Sequence, residues 1–420
     1  MLYKFKFVLV FLCLSSPLFG ELSSRLSFEG GGEYIYYNRH DSDLNPENIL
    51  GLEGWNSRLP ITNKLDIFWG NLFSLSLDHD VSLGNVDSGT INLDEGYRFE
   101  QYPENQEYML KEFILSSSLG ISFLNLNVGK LIPILGVGYI RSPQSFFERL
   151  TDKKSKWMVN PQFFIEDSML EIFYAPYHDL LPDDYTDKAS LEDAKDIYGL
   201  ALNGYIKSLY WEMVGFYDEE FTVGISSSSE IINGLLLYGD VVFSNKHWID
   251  RIKGSAPNYT LETESGSYWD IMIGLNYSPT LINWSFYVEG RYNQDGLSSD
   301  EWDSFANNID IIKQIDVGRP GYGTQYYSSL AESWPFNSLS QFSLALHGES
   351  FDYIKGLFKV KETVFISFPF GLMNYLTFEI PLWDSFEFVC TWGHVWDMGE
   401  YSYFLYEDRV KFTIKYKLFK

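Results

Sequence analysis

The stretch from Ile282, INWSFYVEGRYNQDG, changes character at every step. Ile282, Trp284, Phe286 and Val288 are apolar, while Asn283, Ser285, Glu289 and Arg291 on the other parity are polar. A period of two is a β-strand signal, because successive side chains point to opposite faces of the pleat. It leaves open what each face meets. In a soluble sandwich the apolar face turns inward onto a second sheet, whereas in a barrel that crosses a membrane it turns outward to lipid and the polar face lines the interior.

The segment before it shows the same pattern. WDIMIGLNY places Trp269, Ile271, Ile273, Leu275 and Tyr277 on one face and Asp270, Gly274 and Asn276 on the other, and SPTL then turns the chain. Further amphipathic hairpins follow from DIYGLALNGYI with LYWEMVGFY, from NPQFFIEDSMLEIFY turning at Glu166 and Asp167, and from LKEFILSSSLGISFLNLNVGK. LTFEIPLWDSFEFVCTW aligns Leu376, Phe378 and Ile380 with Phe386, Phe388, Cys390 and Trp392. From Val364 to Ile380 the parity allows one long strand or two short ones.

Short turns alternate with long polar stretches near 38–60, 85–106, 131–156, 177–195, 245–266 and 293–337. That alternation is expected of a barrel with tight periplasmic turns and long external loops. No stretch after the first twenty residues is a run of about 18 apolar residues, so no transmembrane helix is expected. A closed barrel is the other structure that satisfies every backbone group in lipid. Aromatic residues make up 18% of the chain, with 30 Tyr, 33 Phe and 12 Trp, which suits the aromatic girdles of such barrels.

The ending DRVKFTIKYKLFK bears on orientation: Val410, Phe412, Ile414, Tyr416 and Leu418 alternate with Lys411, Thr413, Lys415 and Lys417. Lysines on a lipid face near the midplane cost roughly 2–4 kcal/mol each, so they are expected to face the lumen, where Glu289 and Asp270 offset their charge. An edge strand of a soluble sheet, which lysines also protect, is the competing reading.

At the other terminus, Lys4 and Lys6 precede an apolar run from Phe7 to Leu14, then Ser15, Ser16, Pro17 and Gly20. Residues 1–20 read as a secretory signal peptide cleaved after Gly20, with 21–420 as a single barrel domain. Cys13 lies inside the apolar run behind Leu12, which disfavours a lipoprotein signal; Cys390 is then the only other cysteine, so no disulfide framework is expected. The 57 acidic against 31 basic residues, a net charge of −26, argue against nucleic acid as a partner.

These features resemble the porin-like outer-membrane proteins of diderm bacteria. NLNVGKLIPILGVGYIRSPQSFF is similar to a segment in which a strand ends in Gly-Lys and runs into a Gly-x-Gly-aromatic turn, then Ser-Pro and Phe. Gly129, Lys130, Gly136, Gly138, Tyr139, Ser142, Pro143 and Phe147 match, and Leu135 replaces a Trp often found before the first loop glycine. The chain ends Phe419-Lys420, unlike the terminal aromatic usual in such barrels, with Phe419 out of register with Tyr416 and Leu418.

Chemistry is sparse. Asp183-Asp184 and His79-Asp80 formally supply the pairs of an omptin-like protease, but the first lies in the acidic stretch LPDDYTDKASLEDAKD, more simply a solvated or cation-binding face. His347 and His394 lack a nucleophile and orienter for phospholipase chemistry. No metal-spaced His/Cys cluster occurs, and Gly136 to Gly138 is no phosphate loop, lacking a following helix and Lys-Ser/Thr. Neither a cofactor nor an enzymatic activity is expected.

The expectation is an all-β fold, a transmembrane antiparallel up-and-down β-barrel of about 16–18 strands in the bacterial outer membrane. Its partners would be outer-membrane lipid, the barrel assembly machinery and small hydrophilic solutes diffusing through it. By parity Asp240, Asp270, Asn276, Glu289, Arg291, Lys411 and Lys415 would line the pore. FANNIDIIKQI has a short helical look in a stretch long enough to fold inward. A plugged barrel acting as an adhesin or receptor through its acidic, aromatic loops is the alternative.

Overall fold

The structure, a computed structural model, describes residues 22–39, 55–69, 73–84, 105–118, 122–131, 135–138, 156–176, 196–245, 251–253, 260–262, 266–279, 282–304, 340–352, 354, 356–368, 371–383, 385–396 and 406–419. The strands are β1 (Leu22–Arg39), β2 (Trp55–Trp69), β3 (Phe73–Gly84), β4 (Asn105–Ser117), β5 (Leu124–Leu131), β6 (Lys156–Ile165) and β7 (Ser168–Ala175). They continue as β8 (Ile197–Ile206), β9 (Leu209–Tyr217), β10 (Phe221–Ile232), β11 (Leu235–Ser244), β12 (Arg251–Lys253) and β13 (Thr260–Glu262). The last are β14 (Tyr268–Tyr277), β15 (Trp284–Asn293), β16 (Phe342–Ser350), β17 (Lys359–Phe368), β18 (Gly371–Trp383), β19 (Phe386–Trp396) and β20 (Tyr406–Phe419).

Apart from the small β12/β13 hairpin, each strand pairs antiparallel with its sequence neighbour, and β20 pairs with β1. The result is a closed barrel of 18 strands, the upper end of the expected count. Closure is long: Ser27 pairs with Phe419 and Asn38 with Asp408, with an irregularity only at Asn38/Arg39. Short links such as 166–167, 207–208, 233–234 and 384–385 gather at one end, and most links at the other end are long. Two at the long-loop end are brief, 218–220 and 369–370. The second resolves the Val364–Ile380 ambiguity: β17 and β18 are separate strands, with Ser367 paired to Gly371.

The opening stretch falls in β15 with its apolar parity outward. Phe286 and Val288 are exposed on the barrel exterior and Trp284 stacks on Phe286 at 6.0 Å, whereas Glu289 and Arg291 are buried on the inner side. Adjacent strands repeat this, with Met213, Ile225, Val241, Trp269, Ile271, Ile273 and Leu275 on the outer parity and Glu212, Ser226, Asp240, Asp270 and Met272 on the inner one. At the long-loop end the outer face carries tyrosines whose hydroxyls reach polar groups: Tyr174 and Tyr198 both donate to Asp196, at 3.3 and 3.2 Å. A ring that is apolar in its body and polar at its tip suits a membrane–water boundary.

Three inward glycines admit an aromatic ring where a Cβ would stand. A Cβ on Gly274 would lie 2.3 Å from the Tyr238 ring, one on Gly199 2.5 Å from Phe216, and one on Gly393 2.6 Å from Tyr375. Each pair is directly opposite in register, so the ring lies flat over its neighbour's backbone.

One strand breaks the ladder rule. Pro161 sits in the middle of β6, and the β6–β7 pairing skips from Val159↔Tyr174 to Gln162↔Glu171. Proline has no N–H to give a neighbouring strand. The Asn160 side chain supplies the donor instead, its Nδ2 lying 3.1 Å from the Ile172 carbonyl.

The outward position of β14 gives a direct check. Ile273 is 62% exposed on the exterior, so Ile273→Arg is expected to destabilise the barrel by about 2–4 kcal/mol in bilayers, read from reversible denaturant unfolding in lipid vesicles.

Candidate functional site

The interior is not uniformly polar, and the departure locates the site. Leu131 on β5, Met158 on β6, Phe173 and Ala175 on β7, Ile197 and Ala201 on β8, and Val214 and Phe216 on β9 form one buried apolar cluster. In a water-filled lumen such a surface is unfavourable unless something covers it. Leu135, from the link between β5 and β6, is part of the cluster. Leu135 therefore packs on the inner wall of the barrel.

Beyond Leu135 the segment is fixed by charge. The Gly136 amide donates to Glu212 Oε1 at 2.7 Å, and the Val137 and Gly138 amides donate to the two carboxylate oxygens of Asp240 at 3.1 and 3.3 Å. Glu212 is on β9 and Asp240 on β11, four and six strands along the ring from β5. Residues 136–138 meet those inner-face carboxylates inside the barrel. Gly136 has φ +86°, a conformation glycine adopts freely. The turn aims consecutive amides at an anion, the geometry of a backbone nest. Glu212 also accepts from the Tyr210 hydroxyl at 3.0 Å. The Gly-Val-Gly that fails as a phosphate loop is here a ligand for the protein's own carboxylates.

The expected lining residues differ in what they contact. Asp240 is 0% exposed and is taken up by the inserted segment. Asp270 on β14 and Arg291 on β15, both buried, form a two-pronged ion pair, with Arg291 Nε 2.7 Å from Asp270 Oδ1 and Nη2 on Oδ2. Glu289 accepts from the Tyr238 hydroxyl at 2.8 Å, across the ring that lies over Gly274. Asn276 is at the short-turn end, where its Nδ2 donates to Ser285 at 3.2 Å and it accepts from Ser278 at 2.8 Å. Lys411 and Lys415, partly exposed, share the parity of buried Thr413, opposite to exposed Ile414; Lys415 pairs in register with Glu387. On the same side of the barrel Lys361 binds Glu379 at 2.8 Å.

Below the apolar cluster runs a ladder of amides. Ser116 donates to Asn127 at 2.6 Å, Asn127 to Asn160 at 3.1 Å, and Asn160 and Gln162 to Glu171 at 3.3 and 3.1 Å. The wall from β4 to β7 is therefore apolar toward the loops and amide-rich toward the turns.

Parity alone does not single out Glu212 or Tyr238. Glu212 shares its face with Val214 and Phe216, and an acid on an otherwise apolar inner face is the signal that marks it. His347 is on the inner side, its Nδ1 2.7 Å from the Thr363 hydroxyl and its Nε2 3.9 Å from Glu349. Cys390 is a free thiol. Among the described residues no group of three or more His, Cys, Asp or Glu could hold a metal ion. Asp183, Asp184, Tyr139, Ser142, Pro143, Phe147, the FANNIDIIKQI segment and the amino-terminal 1–20 lie outside the described residues, as do the side chains of His79 and Phe419.

After Asn293 the chain is described to residue 304. Ser298 and Glu301 cap a helical turn over 299–304 reciprocally, Ser298 Oγ and N donating to Glu301 Oε2 at 2.8 and 2.7 Å. Trp302 is buried, its Nε1 3.1 Å from Ser340 Oγ.

Comparison with known proteins identifies the architecture. No protein-family model matches the chain, and no curated protein matches it. Three solved structures from Pseudomonas aeruginosa share the fold over nearly its whole length. OccK2 (OpdF) is 11% identical with a TM-score of 0.54, covering 94% of this chain and 98% of that one. OpdL is 11% identical with a TM-score of 0.53, covering 95% and 99%. The outer membrane protein OpdK is 7% identical with a TM-score of 0.53, covering 95% and 99%.

The buried ion pair makes a sharp energetic forecast. Asp270→Ala strands Arg291 without its partner and is expected to cost about 3–5 kcal/mol, whereas Asp270→Ala with Arg291→Met restores much of the loss. Unfolding free energies of the two variants in lipid vesicles check this.

Proposed function

We propose that this chain is a porin-like outer-membrane channel through which small hydrophilic solutes diffuse passively. The observation that carries the reading is the inward course of residues 135–138, which narrows a closed 18-stranded barrel from within by bonding to inner-face carboxylates of β9 and β11. A barrel of this size encloses a lumen wide enough for water, and its selectivity is set where charged and polar groups line the narrow zone. An outer membrane protein, OpdK, has the same fold, which supports that location.

Asp240, Asp270, Asn276, Glu289, Arg291, Lys411 and Lys415 line this pathway. The contacts divide their work: Asp240 shapes the narrow zone, the Asp270–Arg291 pair and Tyr238–Glu289 stiffen one wall, and Lys411 and Lys415 face the passage from the other side. Residues 1–20 act as a signal peptide cleaved after Gly20, and the barrel assembly machinery inserts the remaining 21–420 as one domain among outer-membrane lipids. No catalytic role is assigned.

Refolded protein reconstituted into planar bilayers is expected to give stepwise single-channel currents. Silent membranes, with a folded barrel verified by its heat-dependent gel mobility, overturn the channel reading.

A further inference from the structure

Glu212, Ser226 and Asp240 are consecutive partners across β9, β10 and β11, so the three form a single rung of the inner wall. The two outer members hold the inserted segment, and the middle one does not: Ser226 is fully buried and its hydroxyl has no hydrogen-bond partner. The rung thus places two acceptors, two strands apart, under three consecutive amides, with a small side chain between them. Bonds from amides to ionised carboxylates are stronger than neutral ones. Leu135 secures the other side of the segment through the apolar cluster, so the carboxylates act on a piece already docked at one end.

We propose that Glu212 and Asp240 are the positioning residues of the narrow zone: they fix residues 136–138 against the wall and thereby set the largest solute that passes. The proposal rests on the channel reading above. Both carboxylates receive amides of the segment, so their contribution is to pore dimension. Asp240 receives two amides and Glu212 one, which makes Asp240 the stronger hold. The segment is short and both anchors act on consecutive residues, so losing either releases the same piece of chain.

The test uses the refolded full-length barrel and a readout that charge alone does not move, the size cut-off for neutral polyethylene glycols of graded mass entering the open channel. Asp240→Asn and Glu212→Gln are expected to shift the cut-off upward and raise conductance, Asp240→Asn more. The double variant is expected to go little beyond Asp240→Asn. Val137→Pro removes one of the donated amides from the segment side, leaving wall and charge untouched, and is expected to shift the cut-off in the same direction. Ser226→Ala, in the same rung but without a hydrogen bond to the segment, is expected to keep the wild-type cut-off. A cut-off unchanged in Asp240→Asn and Val137→Pro, or raised equally by Ser226→Ala, overturns the proposal. A wild-type protein without channels instead overturns the channel reading, so the two failures are distinguishable.

Discussion

Every backbone donor and acceptor in the wall must find its partner inside the wall, because hydrocarbon offers none. A sheet meets that condition only by closing, and here the closure is between the last strand and the first. The pairing of β20 with β1 runs from Ser27↔Phe419 to Asn38↔Asp408, so the seam is as extensively bonded as the interior of the sheet. Once the ring is closed, period-two alternation has one meaning. The apolar parity meets lipid and the other parity meets whatever the ring encloses.

What the ring encloses is asymmetric. From β5 to β11 the inner wall is a docking bed for the protein's own chain, with an apolar patch for Leu135 and two carboxylates for the amides beyond it. On β14 and β15 the charged groups are satisfied by near neighbours, Asp270 by Arg291 and Glu289 by Tyr238 of β11. From β17 to β20 Lys359, Lys361, Lys411 and Lys415 remain partly exposed, with Lys361 bound to Glu379 at 2.8 Å. Large net negative charge and a lysine-bearing wall coexist because many inner acids are engaged by amides, hydroxyls and an arginine.

The sequence made the wall legible and the contents much less so. Alternation in β14 and β15 names both faces without reference to any distant residue, since the pleat is a local property. The same logic falters in β10, where the serine run 226–229 erases the contrast between faces, and in β17 and β18, where continuous parity hides the boundary between two strands. The inserted segment was out of reach for another reason: its partners lie 76 and 103 residues away in the chain, and nothing local in Gly-Val-Gly announces a carboxylate acceptor. An inward Val214 and Phe216 beside Glu212 is at odds with a wet interior, and that mismatch is the trace the inserted chain leaves in the strand that receives it.

Pro161 ties the history of the wall to that of the lumen. Since Asn160 bridges the gap the proline leaves while also joining the interior amide ladder, one side chain serves two masters. Removing that one amide would therefore open the wall beside the proline and cut the ladder in a single step.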